Sequence, residues 1–144
     1  MLKYSRQRES IKELLKTRHD HPTADTVYME IRKQYPSISL GTVYRNLSLL
    51  ASLGEITKIT CIDGADRFDA DTHPHYHFMC TECGCVDDIP MEPIGSLDDL
   101  VNNFYHGQIY GHQTFFYGLC PKCLDRARHL MPPDAREENT AAGK

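Results

Sequence analysis

Residues 39–68, SLGTVYRNLSLLASLGEITKITCIDGADRF, change periodicity partway along, and that change decides the fold. Leu40, Val43, Leu47 and Leu50 recur at helical spacing, Ser39 has an N-cap side chain, and Gly54 is placed to end the helix near Leu53. From Glu55 to Cys61 apolar and polar residues alternate, Asp63-Gly64 is a hairpin turn, and Ala65 to Phe68 can return as the partner strand. The spacing leaves Thr42, Tyr44, Arg45 and Asn46 on the exposed face of the helix.

Upstream, Ile11, Leu14 and Leu15 mark a helix over Tyr4–Leu15, with Ser5 at its start. The turn His21-Pro22-Thr23 precedes a second helix, with Thr23 as N-cap, Asp25 in the first turn and Val27, Tyr28 and Ile31 on its apolar face; it ends before Pro36. Three helices followed by a hairpin is the order of a winged helix-turn-helix, whose last helix enters the major groove of double-stranded DNA. Arg45 and Asn46 can read base edges, and Tyr44 and lysines such as Lys58 can reach phosphates, with Arg8, Arg6 and Lys33 adding positive charge. A Tyr-Arg-Asn run on its own is an ordinary solvated helix face; its place before a β-wing favours operator DNA.

Charge is distributed accordingly. The net charge of −4 conceals a first stretch, 1–60, with ten Lys/Arg against six Asp/Glu, and a remainder with six against fourteen. Only the first suits a phosphate backbone. No apolar run approaches the roughly 20 residues of a membrane span, and Met1-Leu2-Lys3 leads into an amphipathic pattern rather than a signal peptide. The expected location is the cytoplasm, with no membrane partner, where six cysteines point to metal or redox chemistry rather than to disulfides.

Asp69 to Pro74 is polar and aperiodic and reads as a hinge. The expected division is a winged-helix domain over 1–69, a hinge over 70–74, a second domain over 75–131 and a disordered tail over 132–144. In the second domain Tyr76–Met79, Val86–Ile89 and Gln108–Leu119 read as strands, Ser96–Tyr105 as a helix capped by Ser96, and Pro121–Leu130 as a short helix. The fold class is α+β.

Two Cys-x-x-Cys pairs, Cys80/Cys83 and Cys120/Cys123, each set two thiolates on a tight turn, and together they make the tetrahedral four-sulfur site that zinc prefers. Four thiolates leave no open position, so the zinc is structural. The alternative for such pairs is a redox dithiol, which usually involves one pair in a thioredoxin-like unit. Cys61 and Cys85 are left over: Cys61 reads as a small buried hydrophobe, and Cys85 beside the zinc turn as either that or a spare ligand.

His75 and His77 project from one face of an extended strand and can share a metal ion. Asp69 just upstream, Asp88 just past the zinc turn and His21 in a turn of the basic half are further candidates, although each taken alone reads first as a solvated surface carboxylate or a turn residue. Imidazole and carboxylate donors suit iron(II), manganese(II) or zinc. Such a cluster can also activate water in a zinc enzyme, but neither a general base nor a substrate pocket is evident, and no enzyme is expected.

Gln7-Arg8, His21-Pro22-Thr23-Ala24-Asp25, Thr42-Val43-Tyr44-Arg45-Asn46-Leu47, His75-x-His77-x-x-Cys80-x-x-Cys83-Gly84 and Cys120-x-x-Cys123 together resemble the ferric uptake regulator family from about Tyr4 to Cys123. The resemblance implies a homodimer with an N-terminal winged helix and a small C-terminal α/β dimerisation domain. It implies structural zinc on Cys80, Cys83, Cys120 and Cys123, and a regulatory iron or manganese on His21, Asp69, His75, His77 and Asp88. Iron-sensing members usually carry Glu at the positions of Asp69 and Asp88, whereas peroxide-sensing members carry Asp at both, so the chain is more similar to the peroxide sensors. That implies release of DNA through oxidation of His21 or His75; the alternative is a sensor of ferrous iron or another divalent metal responding to occupancy alone. An additional metal site of many iron sensors is expected to be absent, because Pro74 and Tyr76 replace two of its ligands and leave His112 without them. One departure is Cys85, where relatives commonly carry Lys.

Overall fold

Ser5 begins the first helix, α1 (Arg6–Lys16): its hydroxyl accepts from the Arg8 N–H at 3.4 Å and satisfies a donor that the helix cannot. Thr23 does the same for Thr26 (3.3 Å) at the start of α2 (Ala24–Ile31), and Ser39 for Thr42 (3.1 Å) at the start of α3 (Leu40–Ser52). Gly54, at φ 70°, lets the chain leave α3 in the left-handed conformation that a glycine adopts without strain. The computed structural model describes residues 2–131; the tail expected over 132–144 lies outside the described residues.

The helical spacings become burial. Ile11 and Leu15 of α1, Val27 and Ile31 of α2, and Val43, Leu47 and Leu50 of α3 meet in one core, closed by Phe68. Phe68 belongs to the wing, an antiparallel pair of β1 (Thr57–Thr60) and β2 (Asp66–Asp69), in register Thr57↔Asp69 through Thr60↔Asp66. Alternation along β2 sends Phe68 into the core and sets Asp69 on the other face. Asp69 is therefore the last residue of a strand and not part of a hinge, because it still has Thr57 opposite it.

The chain up to His75 forms one unit and the chain from Tyr76 a second, so residues 70–74 and His75 go with the first. The second unit holds β3 (Tyr76–Cys80), β4 (Val86–Ile89), α4 (Ser96–Asn102), β5 (Phe115–Gly118) and α5 (Pro121–Leu130). Its sheet runs β4-β3-β5, with β4 antiparallel and β5 parallel to β3. β5 is much shorter than the Gln108–Leu119 expected from sequence. His77 pairs with Phe115 and β3 begins at Tyr76, so residues before Thr114 have no strand to pair with. Ser96 is not a cap either: Gly95 holds that position with no side-chain hydrogen bond, and α4 stops at Asn102 rather than Tyr105. Pro121 opens α5 from Cys120, whose extended backbone ends the preceding segment. Among the described residues no helix is long and apolar enough to cross a membrane.

Candidate metal centres and nucleic-acid face

The turn after β3 and the start of α5 bring four sulfurs together: Cys80, Cys83, Cys120 and Cys123 lie with their thiols within 4.8 Å of one another. Parallel pairing of β3 with β5 produces this, since Cys80↔Gly118 register puts Cys120 two residues beyond Cys80's partner. Gly84, at φ 72°, turns the chain back from Cys83 into β4. The Cys83 and Cys120 N–H groups donate to Cys80 Sγ at 3.5 and 3.4 Å, and these bonds hold the Cys80 thiol down at about 6. Backbone donation from Cys123 likewise lowers Cys120. Burial, reinforced by neighbouring thiols, pushes Cys123 up to about 12. One sulfur is prepared as a thiolate and another cannot ionise without a counter-charge; the donor set fits structural zinc.

In the first unit His21, Asp69 and His75 converge. Asp69 Oδ2 lies 3.3 Å from His21 Nε2 and 3.1 Å from His75 Nε2, and the three side chains are only 2, 10 and 14% exposed in the order His21, Asp69, His75. His75 Nδ1 is 2.6 Å from the His73 carbonyl, which only accepts, so the ring proton belongs on Nδ1 and Nε2 offers its lone pair. A lone pair facing a carboxylate oxygen needs a proton or a metal cation between them, which makes the trio chemically suited to iron(II) or manganese(II). His21 sits at φ 50°, unusual outside glycine and costly by about 1–3 kcal/mol. Its turn is tied to β2: Arg67 Nη1 donates to the His21 carbonyl (3.2 Å), Phe68 N–H to the Pro22 carbonyl (3.0 Å), and Thr23 bridges Arg67.

The second unit contributes His77 and Asp88, directly opposite each other in the β3–β4 register, with His77 Nε2 3.4 Å from Asp88 Oδ1. The His77 ring is buried and stacks on Phe115 of β5. Three of the five expected donors thus belong to the first unit and two to the second.

On α3, Tyr44 and Arg45 are exposed and Thr42 and Asn46 half-buried, with Arg45 Nη2 donating to Thr42 Oγ1 at 3.1 Å. Lys58, on the wing, pairs with Asp66 at 3.2 Å. Arg8 departs from expectation. It is buried, and its Nη2 donates to the Lys3 carbonyl at 2.7 Å, fastening the N-terminal segment to α1 instead of standing out for phosphate. His112 also has partners that sequence did not reveal: Asp98 Oδ1 at 2.7 Å and the Tyr76 hydroxyl at 3.4 Å, residues too distant in the chain to be linked by spacing. Cys61 is a buried thiol pushed up by desolvation, consistent with packing rather than reactivity.

A three-helix unit with a two-stranded wing, followed by a unit holding a four-thiol cluster, with imidazole and carboxylate donors in both, defines a winged-helix protein built around metal ions. The ferric uptake regulator family model matches residues 1–117. The peroxide-responsive repressor PerR of Staphylococcus aureus (strain USA300) is 33% identical over 120 residues, 83% of this chain and 81% of the relative. Among solved structures, the Campylobacter jejuni peroxide stress regulator is 32% identical with a TM-score of 0.69, covering 81% of this chain and 88% of that one. The Vibrio cholerae ferric uptake regulator is 29% identical with a TM-score of 0.67, covering 83% and 92%. The chain belongs to the ferric uptake regulator family, a family of metal-responsive transcription regulators.

Proposed function

We propose that the protein is a metal-dependent repressor that binds double-stranded operator DNA as a homodimer and is released by peroxide through oxidation of His21 or His75. The observation that carries this reading is the Asp69 carboxylate, with His21 Nε2 and His75 Nε2 both on one of its oxygens. Asp at both 69 and 88, together with two relatives named for peroxide, favours the peroxide branch. Structural zinc falls to Cys80, Cys83, Cys120 and Cys123, and the regulatory ion to His21, Asp69, His75, His77 and Asp88.

Engaging donors from both units at once ties the DNA-reading unit to the other. A bias of about 1–3 kcal/mol toward the DNA-competent arrangement changes operator affinity by about 5- to 150-fold. Iron(II), when bound, supplies the electron that splits a hydroperoxide. The chain's part is to hold His21 and His75 on Asp69, so that an oxygen added to either ring alters a donor and loosens the tie. Manganese(II) gives the same tie without that chemistry. Dimerisation is supported by the apolar groups that the second unit leaves in solvent, among them Phe104, Tyr110 and Tyr117 at 82, 95 and 69% exposure.

The test is fluorescence anisotropy on a DNA duplex selected from a random pool by the manganese-loaded protein. Manganese should tighten binding of the wild type by about 5- to 150-fold, and Asp69→Asn should abolish that difference. An Asp69→Asn protein that responds to manganese like the wild type would overturn the reading.

A further inference from the structure

Among the described residues His21 alone, outside glycine, has a positive φ, at 50°. The turn that carries it lies along β2 and is fixed to that strand at successive points. The Phe68 N–H donates to the Pro22 carbonyl at 3.0 Å, and Thr23 pairs with Arg67 as an antiparallel bridge. Alternation along β2 puts Arg67 and Asp69 on the face opposite Phe68. These two side chains take His21 from its two ends: Arg67 Nη1 donates to the His21 carbonyl at 3.2 Å, and Asp69 Oδ2 lies 3.3 Å from its Nε2. One strand thus grips both the backbone and the ring of a residue 46 positions before Arg67. The two grips differ in kind. Asp69 and the His21 ring are donors that a metal ion would share, whereas the Arg67 bond goes to the backbone and takes up neither donor.

We infer that Arg67 is a positioning residue of the regulatory metal site, holding the His21 carbonyl so that the left-handed turn keeps Nε2 directed at Asp69. It acts through the backbone of His21 rather than as a ligand. A non-glycine residue in the left-handed region persists where its surroundings over-determine it, and Arg67 does so here together with the Pro22 and Thr23 contacts. Without the guanidinium the turn can relax toward negative φ, and the imidazole, carried on the same Cα, moves with it. Partners that orient a ligand in this way govern metal affinity without touching the metal. Charge alone gives the opposite sign: a cationic side chain near a cation site opposes the ion, so removing it would tighten binding. Positioning requires that removing it weakens binding. This rests on the assignment of the regulatory metal to the set that includes His21, Asp69 and His75.

The test uses the full-length, zinc-containing chain with manganese(II) as the probe and calorimetric titration as the measure of affinity. Arg67→Met, which keeps the length of the side chain and removes its donors, should weaken manganese binding by about 10- to 100-fold. Arg67→Lys, which keeps a donor, should lie closer to the wild type than to Arg67→Met. In a His21→Ala background Arg67→Met should cause no further loss, because a residue that acts through His21 has nothing left to position. Hydrogen exchange on the protein without manganese gives a second readout. Arg67→Met should speed exchange of the Phe68 amide, whose acceptor is the Pro22 carbonyl, and leave the α3 amides as protected as in the wild type. Manganese binding by Arg67→Met as tight as the wild type, or tighter, overturns the inference. So does an undiminished loss in the His21→Ala background, the mark of a general structural defect. Should Arg67→Met not fold, Arg67→Gln, shorter and uncharged, takes its place in the same comparisons. His21→Ala separates the two levels: if it binds manganese as tightly as the wild type, the assignment of the metal to this set fails. A weakened His21→Ala beside an unaffected Arg67→Met sinks only the role of Arg67.

Discussion

Stripping zinc from the protein should unfold the second unit and leave the first intact. The first unit buries Ile11, Leu15, Val27, Ile31, Val43, Leu47, Leu50 and Phe68. At about 1.5–3 kcal/mol each, these side chains alone contribute roughly 12–24 kcal/mol as an upper bound. Outside its four thiols, the second unit buries Tyr76, Met79 and Val86 among the described residues, together with the polar His77, so its apolar contribution is roughly 5–9 kcal/mol. Structural zinc in small metal-folded domains supplies about 10–16 kcal/mol, more than that apolar core. Hydrogen exchange read by mass spectrometry, with chelator and reductant present, should show protection lost from β3, β4 and α5 and retained in α1, α2 and α3. Retained protection around Val86 in the zinc-free protein would refute the reasoning, and so would simultaneous loss from both units.

Zinc affinity should fall as pH falls, because metal and protons compete for the same sulfurs. Cys80, held at about 6, has already lost its proton at pH about 8 and not at pH about 5, so its contribution to the slope of log affinity against pH appears only on crossing 6. The slope should steepen by about one there, as calorimetry in buffers of different ionisation enthalpy would show, and a constant slope would count against a preformed Cys80 thiolate. Phe68→Ala, which opens a cavity where wing and helices meet, should destabilise the first unit by about 3–5 kcal/mol in denaturant titrations. Arg45→Ala removes a side chain whose described bond is to Thr42 of its own helix, so folding should be unchanged. Operator binding should then weaken by about 1–3 kcal/mol, measured by anisotropy alongside an unchanged melting temperature.

The parts legible in the sequence are those set by local rules. Ser5, Thr23 and Ser39 cap the helices they were expected to cap, because a cap bond spans only three residues. The Cys-x-x-Cys pairs meet because each is itself a turn motif and the sheet aligns the two. Errors arose where a neighbour decides. Gln108–Thr114 alternates like a strand, yet β3 starts too late to pair with it. Ser96 has the right chemistry for a cap but lies one residue inside α4. Arg8 reads as surface charge until the Lys3 carbonyl engages it. Long-range hydrogen bonds such as Asp98 to His112 carry no spacing signature at all.

The most direct test of peroxide-released repression is oxidation mapping on one sample of zinc-containing, iron(II)-loaded protein. Treated with hydrogen peroxide, it should gain a single oxygen on a peptide containing His21 or His75 and lose operator binding in proportion, while the manganese-loaded protein keeps both unchanged. Loss of operator binding with both peptides unmodified would contradict it.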